Sequence, residues 1–452
     1  MILIKNATLY GRTSADTETS TLHHDAALLM EGDLIAGVLT AADEIAAAER
    51  RADEVIDAEG GWLLPGAIDA HVHFREPGLT SKADIASESR AAVAGGVTTV
   101  LDMPNVKPTT TTPEALAEKG RLFAARSEVN YGLYYGITHD NIESALQLPE
   151  QSFCGYKVFL GSSTGGMLMD DPTLLRRLLG ATQRVIAVHS ESEPIIRRNA
   201  EHYRALWGDA VPVTLHPRIR SREACIATTR DILRLAHETG AQLHLCHLTT
   251  ADEVALCPTE ANITTEACVA HLWFTDADYE RLGARIKCNP AIKSAADRDA
   301  LRRGLTDGRI TLVATDHAPH LISDKQGGAL QAASGMPSVQ YSLLAMLELM
   351  HQGICTLADV VRLMAEAPAR RYRIRQRGIL APGYKADVVW VQPHAETVVT
   401  SAGILSKCGW SPFEGTTFHH HIAGVWVGGR KRYDGTQIVD GAPGGEALSY
   451  DL

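Results

Sequence analysis

Residues 65–78 read PGAIDAHVHFREPG. The run 67–74 has the apolar character of a buried strand, and it carries Asp69, Ala70, His71, Val72 and His73 in succession. Residues two apart on a strand share a face, so His71 and His73 point the same way, and two imidazoles so placed can grip one metal ion. A pair of satisfied core histidines is the plain alternative. What decides between them is whether other strands end in the same manner.

Strand signals recur at 97–103, 130–136, 155–160, 185–190, 242–248, 262–268 and 310–315, with amphipathic helical stretches between them. Together with 67–74 they predict an α/β fold, a closed (β/α)8 TIM-like barrel rather than an open sheet. Their C-terminal ends carry His71, His73, Asn105, Lys157, His189, His247 and Asp316. In such a barrel these ends converge on one mouth, where barrel enzymes place their chemistry.

Further out, the chain is β-rich at both ends. Apolar runs at 2–9 and 27–38 are broken by turn residues, and ADVVWVQP and HIAGVWVGGRKRYDG follow near the C-terminus. The expected organisation is a barrel at 63–372 flanked by 1–62 and 373–452, which together build a small β-sandwich. A chain of 452 residues has room for both, since such barrels take about 250 residues. The net charge of −11 and the absence of Lys/Arg runs argue against nucleic acid or an anionic membrane as partner. No apolar stretch is long enough to span a bilayer, and the first residues lack a signal-peptide pattern, so a cytoplasmic location is expected. The 8 cysteines form no C-x-x-C pair and read as reduced, mostly buried thiols.

Taken singly, each polar strand end has a bland reading. His189 after RVIAV and His247 after QLHLC could be packed or capping histidines; with the H-x-H pair they supply a second pair of nitrogen ligands. His244 competes with His247, but three residues away on a strand it should face the opposite way. Asp316, in ATDHAPH, can hold a metal through one oxygen and take a proton from water through the other; otherwise it is a helix N-cap. Lys157, in CGYKVFLG, is costly at the end of a buried strand unless paired or modified. A salt bridge to a barrel carboxylate would resolve that, and so would carbamylation, which makes the amine an anion able to bridge two metals.

Together these residues resemble the amidohydrolase superfamily and, within it, the cyclic amidases: dihydroorotases, allantoinases and dihydropyrimidinases. The resemblance runs from PGAIDAHVHFREPG through PARRYRI and GILAPGYKADVVWV to GWSPFEG. It implies two zinc ions, with His71, His73 and Asp316 on the first, His189 and His247 on the second, and carbamylated Lys157 between them. Asp170 or Asp171 would be the next candidates for the bridge. HFREPG and DMPNVKPTTTT look like the dihydroorotase version, and Arg75 can fork onto a ring carboxylate. Asn105, Asn289 (in IKCNPAIKS) and His320 are implied as further substrate contacts. The expected reaction is the reversible hydrolysis of L-dihydroorotate to N-carbamoyl-L-aspartate, with Asp316 carrying the proton. The alternatives are another cyclic amidase, or a non-catalytic barrel partner of aspartate transcarbamoylase. A small molecule is the expected partner, and a homodimer is admitted.

Two stretches depart from the family pattern. The Gly/Ala-rich segment after His320 reads as a lid or substrate loop without assignable contacts, and HPRIRSREAC has a serine where proline is common. The triplet His419, His420 and His421 reads as a surface strand or turn rather than a metal site.

Overall fold

The computed structural model describes residues 1–161, 166–439 and 441–451. From the N-terminal segment come β1 (Ile2–Gly11), β2 (Thr21–Glu31), β3 (Leu34–Leu39), β4 (Glu54–Asp57) and β5 (Trp62–Pro65). Then follow β6 (Ala67–Val72), β7 (Val97–Asp102), β8 (Asn130–Gly136) and β9 (Gly155–Phe159). After them come β10 (Ile186–His189), β11 (Leu243–Leu245), β12 (Ile263–Cys268) and β13 (Leu312–Ala314). The C-terminal part adds β14 (Val388–Gln392), β15 (Thr397–Val398), β16 (Thr417–Phe418), β17 (His421–Val427) and β18 (Arg430–Tyr433).

Strands β6 to β13 pair in sequence order, all parallel, as expected for the barrel. Closure between the last strand and the first rests on side chain as well as backbone. Val72 bridges His317, and the His73 N–H donates to the His317 carbonyl at 2.8 Å. Beside them the buried Asp69 accepts from the Thr315 N–H at 3.1 Å and from Thr315 Oγ1 at 2.6 Å. Burial pushes the Asp69 carboxyl up to about 6, against the pull of those hydrogen bonds.

Inside the barrel Ile68, Ala70, Leu101, Tyr134, Ala187 and Cys246 form an apolar cluster with Tyr372, Leu448 and Tyr450. A register shift between Asp69 and Val72 changes the alternation on β6. Val72 and Phe74 join the cluster that packs under the helices, while His71 and His73 follow Ile68 and Ala70 into the interior.

The two termini build one sheet in the order β18-β17-β14-β5-β1-β2-β3, with β4 alongside β1. Strand β14 lies between β5 and β17, antiparallel to both, so the C-terminal segment fills the middle of a sheet that the N-terminal segment begins. One face buries Ile4, Leu28, Met30 and Trp426. The other buries Leu3, Ala27 and Leu29 under Ala48. Ala48 belongs to a helix, Ala42–Glu49, that the β-rich reading of this segment overlooked. Its composition, four alanines among eight residues, favours helix on propensity alone.

All eight cysteines are free, and only Cys408 is less than buried. Of the histidine triplet, His419 is exposed beside Glu348, but His420 is buried against Trp62, which the surface reading did not foresee. Among the described residues no helix is long and apolar enough to cross a membrane.

Candidate active site

The polar residues at the strand ends line one cavity at the barrel mouth. His71, His73, Asn105, Lys157, His189, His247 and Asp316 share it with Arg75, Asn289 and His320. Three of them hold left-handed backbone: Arg75 at φ 67°, His247 at φ 36° and Asp316 at φ 48°. Non-glycine residues adopt that region at a cost of about 1–2 kcal/mol, and such residues gather at functional sites. The turns occur just past the ends of β6, β11 and β13, and at His247 the turn brings inward a side chain that alternation from Leu243 and Leu245, both packed under the helices, would have placed outside.

Imidazoles and one carboxylate meet at the cavity floor. Asp316 Oδ1 lies 2.9 Å from His73 Nε2 and 3.3 Å from His71 Nε2. Donor atoms of His71, His247 and Asp316 all fall within 4.8 Å of one another. On the other side His189 Nδ1 and His247 Nε2 face each other at 3.0 Å. Burial lowers His73 to about 4 and holds His189 and His247 below the usual histidine range, so all three are neutral ligand-type imidazoles. His71 differs. Burial opposes its charge, but the carboxylates of Glu266 and Asp316 outweigh burial and raise its pKa. Asp316 is driven well below the usual carboxylate range despite burial, chiefly by His71 and His73. The floor thus demands positive charge, and its nitrogen and oxygen donors are the set that zinc and similar divalent ions take. These residues fit a metal centre.

Lys157 is wholly buried beside this cluster. Its Nζ meets Cys246 Sγ at 3.1 Å and lies 5.0 Å from the centre of the Phe159 ring. Among the described residues no carboxylate comes within 4 Å of it, so the barrel salt bridge is not formed.

On the substrate side, Arg75 is only 4% exposed, and its pKa falls to about 10 through burial. Nε donates to the Pro319 carbonyl at 3.1 Å, and Nη2 meets His320 Nε2 at 3.1 Å. Lys82 Nζ meets the other His320 nitrogen at 3.0 Å. Burial first, then these two cations, lower His320 to about 2, so it stays neutral. A neutral imidazole has only one free lone pair, so it cannot accept from both. Asn105 Oδ1 lies 2.7 Å from His73 Nδ1, and Asn105 also lines the cavity. Asn289 Oδ1 is buried without a hydrogen-bond partner, an acceptor in need of a donor. The loop after His320 completes the wall with Ser334 and Gly335. Lys325 fastens it, donating to the carbonyls of Lys287 at 3.0 Å, Ala333 at 2.6 Å and Gly335 at 2.6 Å.

Several readings change. His244 does not turn away from the barrel: its Nε2 lies 3.2 Å from Glu266 and its ring packs against Tyr372, beneath the cavity. Alternation misplaced it because β11 ends at Leu245 and His247 stands on a left-handed turn. Asp316 caps no helix. Asp171 does, accepting from Thr173 and Leu174, while Asp170 pairs with His139, so neither lines the cavity. Glu266 and Glu191 escaped notice. Glu266 supports His71 at 2.9 Å, and Glu191 supports His189 at 2.8 Å and pairs with Arg220. For Glu266 the signal was a carboxylate in the middle of the strand ITTEAC, because unpaired acids are almost never buried; Glu191, just past the end of β10, carried no such signal.

Comparison with known proteins places this geometry. A dihydroorotase of Methanosarcina acetivorans is 34% identical over 381 residues, 80% of this chain and 80% of its own length. An allantoinase of Bacillus velezensis is 33% identical over 407 residues, 88% and 89% of the two chains. The solved structure of L-hydantoinase (dihydropyrimidinase) from Arthrobacter aurescens matches with a TM-score of 0.90 at 25% identity, covering 99% of each chain. Residues 62–432 match the amidohydrolase family, and the chain therefore belongs to that family, as an enzyme of its cyclic amidase group.

Proposed function

We propose that this enzyme is a metal-dependent dihydroorotase, opening L-dihydroorotate to N-carbamoyl-L-aspartate and closing it again. The observation that carries the choice among cyclic amides is Arg75, a buried guanidinium in the cavity wall with no carboxylate within 4 Å among the described residues. A buried cation left without a counter-ion favours an anionic ligand, and the ring carboxylate distinguishes dihydroorotate from dihydrouracil. His320, pressed by Arg75 and Lys82 at once, adds to that demand.

His71, His73 and Asp316 would hold one zinc ion and His189 and His247 a second, with Lys157 as a carbamate between them. When bound, the ions would lower the pKa of a water molecule and polarise the ring amide carbonyl. Asp316 manages the proton. Both of its histidine contacts fall on Oδ1, which leaves Oδ2 to take the proton from the attacking water and return it to the amide nitrogen as the C–N bond breaks. Arg75 binds the carboxylate, the Asn105 amide donates to the substrate and Asn289 Oδ1 accepts from it, together fixing the scissile bond above the floor.

The test is a comparison of substrates and of one variant. Purified enzyme should open dihydroorotate, and should leave allantoin and dihydrouracil essentially untouched. Arg75→Met should keep its metal and lose about thirty-fold or more in kcat/KM on dihydroorotate, the consequence of forfeiting a charged hydrogen-bond partner. Near-normal turnover of dihydroorotate by the variant, or a preference of the parent enzyme for allantoin, would move the assignment elsewhere in the group.

A further inference from the structure

Glu266 touches neither the cavity nor any proposed substrate contact, yet both of its oxygens are committed. Oε1 lies 2.9 Å from His71 Nδ1 and accepts the His247 main-chain N–H at 2.9 Å; Oε2 lies 3.2 Å from His244 Nε2. The side chain is wholly buried, and among the described residues no lysine or arginine comes within 4 Å of it. Two imidazoles, the His247 main-chain N–H and the Cys268 thiol, 3.5 Å from Oε1, answer its charge. Glu191 behind His189 is the contrast, since it touches one candidate ligand and is neutralised by Arg220.

We propose that Glu266 is a positioning residue that couples the two metal positions, an inference that rests on the metal reading above. Toward the first position it acts through a side chain. Accepting from His71 Nδ1–H fixes that tautomer, leaves the Nε2 lone pair for an ion and makes it more basic. Toward the second it acts through the main chain. Holding the His247 N–H stabilises the left-handed turn at φ 36° that sends this ring to face His189. One buried charge therefore serves both positions, whereas Glu191 serves one.

The experiment compares Glu266→Gln and Glu191→Gln with the parent enzyme. Each is loaded with zinc and dialysed against graded chelator, zinc per chain is counted, and the visible spectrum of the cobalt-loaded form is recorded. The glutamine keeps the size of Glu266 and an acceptor oxygen but not the charge. Glu266→Gln should weaken both ions together by roughly 10–100-fold and shift the cobalt spectrum. Glu191→Gln should release one ion early and keep the other near its original affinity. Loss of only one ion from Glu266→Gln, or binding equal to the parent, overturns the coupling. Should Glu266→Gln fail to fold, Glu266→Asp, which keeps the charge but shortens its reach, should show the same paired loss, and separate loss would overturn the coupling as surely. A parent enzyme that binds no zinc would instead remove the metal reading itself, with the coupling falling as its consequence.

Discussion

Lys157 poses the sharpest question at the scale of single residues. Lys157 is wholly buried, and its Nζ meets a thiol and the face of the Phe159 ring, with no carboxylate within 4 Å among the described residues. A carbamate there would be an anion where the floor wants to hold cations. Lys157→Ala should therefore lose metal and activity together, and short carboxylic acids at high concentration should restore part of both. Mass spectrometry of the native protein should find the added carboxyl group; an unmodified Lys157 in an active, fully metallated enzyme would contradict the assignment. His71, His73, His189, His247 and Asp316 were legible because each breaks an apolar run at the same end of its strand. Their conformations were not. Left-handed φ at Arg75, His247 and Asp316 leaves no trace in residue type, and His244 was misjudged for that reason. Glu266 was missed because its role exists only where three strands meet.

Among elements, the seam between β13 and β6 is the place where closure of the barrel can be tested. Asp69 accepts three hydrogen bonds there, from the His71 N–H at 3.2 Å, the Thr315 N–H and Thr315 Oγ1. Asp69→Ala would leave buried donors unmatched at about 1–3 kcal/mol each, not fully additive. A loss of roughly 3–5 kcal/mol in urea-unfolding free energy is expected; a change under 1 kcal/mol would mean that the backbone contacts alone close the ring. The eight strands themselves were legible to within a few residues, because parallel strands buried on both faces read as continuous apolar runs. The register shift on β6 was not, since a bulge depends on what the neighbouring strand presents. Nor was the helix Ala42–Glu49, where strand signals on both sides outvoted its alanines.

For the whole molecule, buried histidines set the response to acid. His271, no part of the proposed centre, is buried with Nε2 at 3.0 Å from the Pro290 carbonyl, and burial lowers it to about 4. Its folded pKa lies below the unfolded value of about 6.5, so between those values the unfolded chain binds more protons. The His271 contribution therefore rises with pH across this window and is lost as pH falls from about 6.5 through 4, roughly 3 kcal/mol for His271 alone, while the raised Asp69 carboxyl acts in the opposite sense. Urea unfolding of chelated protein at about pH 7 and pH 4.5 should show the parent losing more stability than His271→Asn; equal losses would contradict the burial argument. The placing of β14 between β5 and β17 has a consequence for synthesis. Strand β5 leaves the ribosome with its partner still some 320 residues away in the message. At about 5–20 residues per second, the nascent sheet must wait on the order of 15–60 s with an open edge, while the entire barrel is translated behind it. An unpaired edge recruits other strands, so this delay is when a growing chain is most exposed to its neighbours on the same polysome, and when a chaperone would have the most to protect.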